Sequence, residues 1–322
     1  MKQSYEKTAK SARKNNSEQT NRKHLLLLFG KKSNFKGVLA IVKNWGAFIL
    51  CYFLIAWIMN LPASFLSVTA YIIISFFAGC TLRGFDNLTH EASHNNIFSK
   101  GKLHQKLQFL FSYVVFKTIE NYRFWHFKHH RYYLNNKEED PDTQQNIRLG
   151  VGTLTHKGKA YQIIWFYVIR FFLLYYFIYN IRYCFIPHIR SKSSIIGRII
   201  FWGVIIFIVT ITHSWLLFLL AYVIPCFIWL PYIRFITESS KHTNVNDNDD
   251  FGNSRSNIGL IHQLLLHPHN DGYHQMHHFL PAIPFYNLKK AYIYMTTDIN
   301  VKNSVIESHS FIQTIKQIFK IK

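Results

Sequence analysis

The sequence predicts an all-α integral membrane protein: four transmembrane helices in two hairpins, with a histidine-rich di-metal site on their cytosolic side. Three observations lead there. Apolar residues make up 49% of the 322 residues and aromatics 17%, and the apolar residues gather into long runs. Those runs pair across short uncharged turns, while Lys and Arg collect between the pairs. Histidine, 18 residues in all, recurs at a spacing that puts three imidazoles on one helical face.

Residues 1–34 are polar and basic and are expected to form a disordered tail. The apolar run after His24 is too short for a signal peptide, and none is expected. Residues 35–300 are expected to form the membrane domain and 301–322 a C-terminal cytosolic tail. Gly46–Met59 and Phe65–Leu82 form the first pair of apolar runs, joined by Asn60-Leu61-Pro62-Ala63-Ser64. As a helix the second run is about 27 Å long, close to the hydrocarbon thickness. Lys43 before the pair and Arg83 after it set both ends on the cytoplasmic side. A second helix continuing past Arg83 carries His90 and His94 just above that surface.

Lys100–Glu120 holds a short apolar run, Leu107–Val115, between lysines, and is expected to be a helix lying at the interface. Three apolar stretches follow. Ile195–Thr212 and Trp215–Ile233 are separated only by His213-Ser214 and read as the second hairpin. Ile163–Ile186 contains Arg170, Asn180 and Arg182. A central Arg costs about 2.5–3.5 kcal/mol on insertion, so this stretch is expected to be interfacial. Parity agrees: clusters that share one centre must lie on one side, so an even number of helices crosses.

A formal charge of +21 raises the question of nucleic acid. The chain carries no zinc-finger or aromatic-basic signature, and its cations flank hydrophobic runs, so they are assigned to membrane anchoring with no nucleic-acid partner. Cys51, Cys80, Cys184 and Cys226 are scattered among apolar residues with no CxxC, which excludes a thiolate metal site as the expectation.

The chemistry sits in the histidines. His90 and His94 form HxxxH; His126, His129 and His130 form HxxHH; His274, His277 and His278 repeat HxxHH. At this histidine content about 0.06 chance occurrences of HxxHH are expected along the chain, so two are a signal. Eight neutral imidazoles exceed the four ligands of a structural zinc or the three of a catalytic one, and fit two redox metals with open positions. Such a centre at a membrane surface suits activation of dioxygen against an alkyl C–H bond. His90-Glu91-Ala92-Ser93-His94 also matches HExxH, the alternative of a membrane zinc metalloprotease with Glu91 as general base, but that reading leaves six clustered histidines unused. His262, His267 and His269 are expected to support the third cluster or to lie at the surface.

These motifs resemble the three histidine boxes of the membrane fatty acid desaturase superfamily over roughly Gly46 to Leu288. The flanking residues agree: His130-Arg131 leads to Asp140-Pro141-Asp142, and Asn270-x-x-Tyr273-His274 leads to His278-Phe279-Leu280-Pro281 and Pro284. The resemblance implies a helical cytosolic cap on four transmembrane helices, two iron ions (Fe2+), dioxygen as co-substrate and a lipid or acyl substrate. It also implies an external electron donor, a ferredoxin or cytochrome b-type protein, since no His-Pro-Gly-Gly haem signature is present. The active site would face the cytoplasm, at a bacterial inner membrane or the endoplasmic reticulum. The family places a further histidine after the fourth span; here His242 stands in that position, without the Glu that commonly precedes it, and is expected as a ninth metal ligand. Asn270 would hold a metal-bound water or cap a helix, and Asp142 would orient a ligand histidine or solvate its loop. Fatty acyl desaturation is the expected outcome, with hydroxylation or carotenoid ketolation as alternatives of the same superfamily.

Overall fold

The computed structural model describes residues 22–133, 136–151, 160–186, 195–245 and 252–321. Residues 1–21 of the expected disordered tail therefore lie outside the described residues, but the rest of it corrects that expectation: 22–29 is helical and Leu25 is buried in the main core. The described chain is mostly helical, and three helices in it are long and apolar enough to cross a membrane: α1 (Asn34–Met59), α2 (Phe65–Ser93) and α4 (Trp215–His242). A fourth apolar helix, α3 (Ile195–Ile211), is shorter at 17 residues.

Hairpin geometry follows from local sequence. Ser64 caps α2 through its side chain and the hydroxyl of Ser67 answers to the Ser64 amide, so the Asn60–Ser64 turn closes without charge. His213 takes a left-handed φ of 51° to turn α3 into α4. Within α4, Pro225 supplies no amide, and the helix widens there into π-turns at Leu219–Val223 and Pro225–Trp229. α2 does run on past Arg83: one unbroken helix carries Phe65 to Ser93, and His94 is its C-cap. Because His90 lies at the C-terminal end of α2 and His242 at that of α4, both hairpin turns lie at the end away from the histidines.

Two expectations need correction. Lys100–Glu120 is not one interfacial helix. It is a short helix at Gly101–Lys106 followed by two single 3-10 turns, and Phe111, Val114 and Val115 face the main core. Buried polar groups prevent a lipid-lying helix here: Gln108 accepts the Ile119 amide and Ser112 meets Thr89. The expected all-α fold also gains a small parallel pair of strands, Arg255–Asn257 with Ile306–Ser308. Through it residues 301–321 join the body, and Ile318 and Phe319 are buried in the second apolar cluster. The stretch read as interfacial is a bent pair, Tyr161–Phe172 and Tyr175–Phe185, broken by 74° at Leu174, whose φ is 52°. Arg170 there bonds the Leu149 carbonyl at 2.5 Å and lies over the rings of Phe166 and Tyr175.

Beneath the histidines, α2 and α4 are tied by buried charge. Arg83 pairs with Asp86 at 2.7 Å, Glu238 at 3.2 Å and Asp271 at 3.3 Å. Asp86 also takes two bonds from Arg234, at 2.9 and 3.0 Å, and pairs with Lys117. Such a lattice specifies one arrangement more than it adds net stability, because each ion had to be dehydrated. The two helices touch closely where Gly79 meets Trp229: a Cβ at 79 would lie 2.4 Å from the Trp229 Cβ. Neither atom can swing away without moving its backbone. Gly79→Ala should therefore cost about 1–3 kcal/mol of overpacking, read as a lower thermal-unfolding midpoint; an unchanged midpoint would show that the helices part freely.

Candidate metal centre

Four elements bring the nine histidines together. α2 supplies His90 and His94, a helix over Ile119–Tyr132 supplies His126, His129 and His130, the end of α4 supplies His242, and a short helix over His274–Phe279 supplies the third motif. Thr118 caps the second of these helices, fixing where its histidine face begins.

The imidazoles divide into two groups that the sequence motifs do not respect. His90, His94, His126, His130 and His277 converge in one, with their ligand atoms all within 4.8 Å. Four of their Nε2 atoms close a ring: His90 to His126 2.9 Å, His126 to His130 2.9 Å, His130 to His277 3.1 Å and His277 to His90 3.0 Å. A neutral imidazole has one N–H, so hydrogen bonds could satisfy at most half of that ring. The half-diagonal of a square with this edge is about 2.1 Å, an ordinary metal–imidazole bond length. Edges near 3.0 Å match right-angle coordination; tetrahedral zinc would give edges of about 3.4 Å. His94 Nε2 is buried against this ring with no hydrogen-bond partner. The donor set therefore fits a metal ion of more than four ligands.

The second group joins His129, His242 and His278. His274 Nε2 completes it, 2.9 Å from both His242 Nε2 and His278 Nε2, while His129 lies 3.3 Å from His278. The two groups abut: the rings of His130 and His278 lie 4.6 Å apart.

Outer contacts aim the rings. The Nδ1–H of His129 donates to Asp140 at 2.8 Å, and that of His242 to the Asn253 carbonyl at 3.3 Å, turning each Nε2 lone pair inward. Burial, followed by neighbouring imidazoles, holds His126, His130 and His278 well below the usual histidine pKa, so they stay neutral donors. Burial pushes His94 down to about 3. His129 goes the other way: burial opposes its charge, but Asp142 and the bond to Asp140 more than offset that and raise it.

Asp140 makes the direct bond to His129, and the expected Asp142 stands 3.6 Å from the same ring nitrogen, half exposed. The signal was present, since an Asp preceding Pro is an N-cap, and Asp140 does cap Pro141–Arg148 by accepting from the Asp142 amide. Asn270 caps no helix: its amide donates to the Phe285 carbonyl at 2.9 Å. His262, His267 and His269 lie outside both groups. His267 bonds Asp271 and Ser240, His262 meets Thr314, and His269 meets Asn44. Glu91 accepts the Phe285 amide at 3.1 Å and stands 3.4 Å from His90 Nδ1, on the outer side of that ring. A cavity of about 260 Å³ opens beside His129 and His242.

A long apolar helical body thus carries two abutting imidazole groups that could each hold a metal ion. The sequence profile of fatty acid desaturases matches residues 63–299, and the chain belongs to that family. It is also similar to the dihydrorhizobitoxine desaturase of Bradyrhizobium elkanii, with 24% identity over 278 residues, 81% of this chain and 75% of the relative.

Removing the carboxylate behind His129 should loosen the second group alone. Asp140→Ala should lower metal affinity or activity about 10–100-fold, while Asp142→Ala changes it little; metal content of the purified variants reads the difference, and equal losses would contradict the assignment.

Proposed function

We propose that this chain is a multi-pass membrane desaturase that uses two iron ions, dioxygen and two electrons from a separate donor protein to make a carbon–carbon double bond in an acyl substrate. The observation that carries the reading is the split of nine imidazoles into groups of five and four with nitrogens at metal-binding separations. The reaction balances as removal of two hydrogens from adjacent carbons, with dioxygen, two electrons and two protons giving two waters. A bound iron pair supplies the oxidising power for an unactivated C–H bond. The chain's own groups hold His94, His126, His130 and His278 neutral, orient the His129 and His242 rings through Asp140 and the Asn253 carbonyl, and bury His90, His126, His129, His274, His277 and His278.

Charge placement supports a cytoplasmic active site in the topology of two hairpins, since Lys43 and Arg83 flank the first pair at the histidine end. The His-Glu-x-x-His segment has a different use here from that in a protease. Glu91 is engaged by a backbone amide and the back of His90, a positioning role. Desaturation, hydroxylation and ketolation of one substrate differ in product mass, so the assay that tests the activity also separates these outcomes.

The discriminating pair of variants is Glu91→Gln and His94→Ala, followed by product formation from a labelled acyl substrate with dioxygen and reductant. Glu91→Gln keeps an acceptor for Phe285 and should retain activity within about 10–100-fold of the parent. His94→Ala removes a ligand and should leave none. Glu91→Gln as inactive as His94→Ala, with its metal retained, would reverse the role given to Glu91.

A further inference from the structure

We infer that Arg123 is a positioning residue of the metal centre: its guanidinium locks the end of α2 to the Ile119–Tyr132 helix and so holds His94 against the five-membered imidazole group. The inference goes beyond the reaction proposed above, since it needs only that the histidines bind metal.

The sequence explains how α2 ends. Asn95 takes a left-handed φ of 56° just past the cap, a position that Asn tolerates better than most residues. From there the amides of Asn95 and Asn96 turn back to the carbonyls of Ala92 and Glu91, at 3.0 and 2.9 Å. That closure does not use the Ser93 carbonyl, which accepts from Arg123 Nε at 2.7 Å. Arg123 Nη2 donates to Asn95 Oδ1 at 2.9 Å and to the Ala92 carbonyl at 3.3 Å. One cation thus spans three acceptors at the negative end of a helix.

This clamp acts on the first imidazole group. His94 follows Ser93 directly, and its Nε2 has no hydrogen-bond partner, so the backbone and packing alone place its ring. That ring lies 4.8–5.0 Å from those of His126, His130 and His277. Arg123 precedes His126 by three residues and His130 by seven, so all three share one face of their helix. A roll of that helix large enough to change which imidazoles meet would also pull the guanidinium off α2. Asn96 extends the tie to the third motif, donating to the Pro281 and Ile283 carbonyls at 2.8 and 3.3 Å. The second group draws no ligand from α2, and its member on the Arg123 helix, His129, is held by Asp140.

The test measures iron per chain and its resistance to a graded chelator in the purified full-length protein, beside the unfolding midpoint of the metal-free form. Arg123→Gln should weaken one of the two irons about 10–100-fold and leave the other. Arg123→Lys keeps the charge but cannot reach Ser93 and Asn95 from two nitrogens, and should weaken the same iron. Asn95→Gly keeps the left-handed turn and removes one acceptor; it should act in the same direction by a smaller factor, and it serves if the arginine variants do not fold. Combining Arg123→Gln with Asp140→Ala should weaken both irons, because each change acts on a different group. Gly79→Ala, which disturbs α2 away from the site, should lower the unfolding midpoint with both irons held as in the parent. Three results would overturn the inference: iron affinity unmoved in Arg123→Gln or Asn95→Gly, both irons lost together in step with a lowered midpoint, or a double variant that weakens only the iron Asp140→Ala weakens. A parent chain that takes up no metal would remove the centre, and with it the role of Arg123. Selective iron loss as expected, with no acyl substrate oxidised by the parent, would leave that role standing and remove the desaturase reading instead.

Discussion

Everything in this protein is arranged around buried imidazole nitrogens that face one another. Lone pairs 2.9–3.1 Å apart, taken out of water, repel unless a cation lies between them. The fold therefore has to supply rigid elements that hold the rings in place, and four different segments do so. The capped start of the Ile119–Tyr132 helix, the unbroken run of α2 through Arg83 and the lattice on Asp86 all oppose relaxation of the rings away from each other. Nitrogens placed this way would take up metal without large rearrangement, because most of their ordering is done on folding.

The buried ions next to the centre separate two environments. On one side are the apolar faces of α1, α2 and α4; on the other are the histidines with their cavity. Four cations, Arg83, Lys117, Arg234 and Lys241, meet three carboxylates, Asp86, Glu238 and Asp271, and His267 completes the set. Asp271, whose charge burial opposes but Lys241 and His267 favour, is held well below the usual carboxylate range. One consequence is mechanical: α2 and α4 cannot slide past each other without exposing an unpaired charge.

Much of the site was legible in the sequence because helical spacing alone makes HxxHH a face of three ligands. His90, His94 and the two triplets could be named from spacing, and His242 from the family pattern. The grouping could not. Nothing in spacing says that His129 leaves His126 and His130 to join His278, or that His277 leaves His274 to join His90; that depends on how helices cross. Asp140 was passed over for its neighbour because two carboxylates flank Pro141 and only the turn geometry decides between them. Of the fold, the hairpins were readable from uncharged turns. The break at Leu174 and the strand pair at Arg255–Asn257 were not, since each depends on partners far away in sequence.

The central claim is that the two imidazole groups hold two iron ions. The most direct measurement is metal quantification with X-ray absorption on the purified full chain. The account predicts two irons per chain, each in a nitrogen-rich shell of more than four ligands. One tetrahedral zinc per chain and no iron would contradict it.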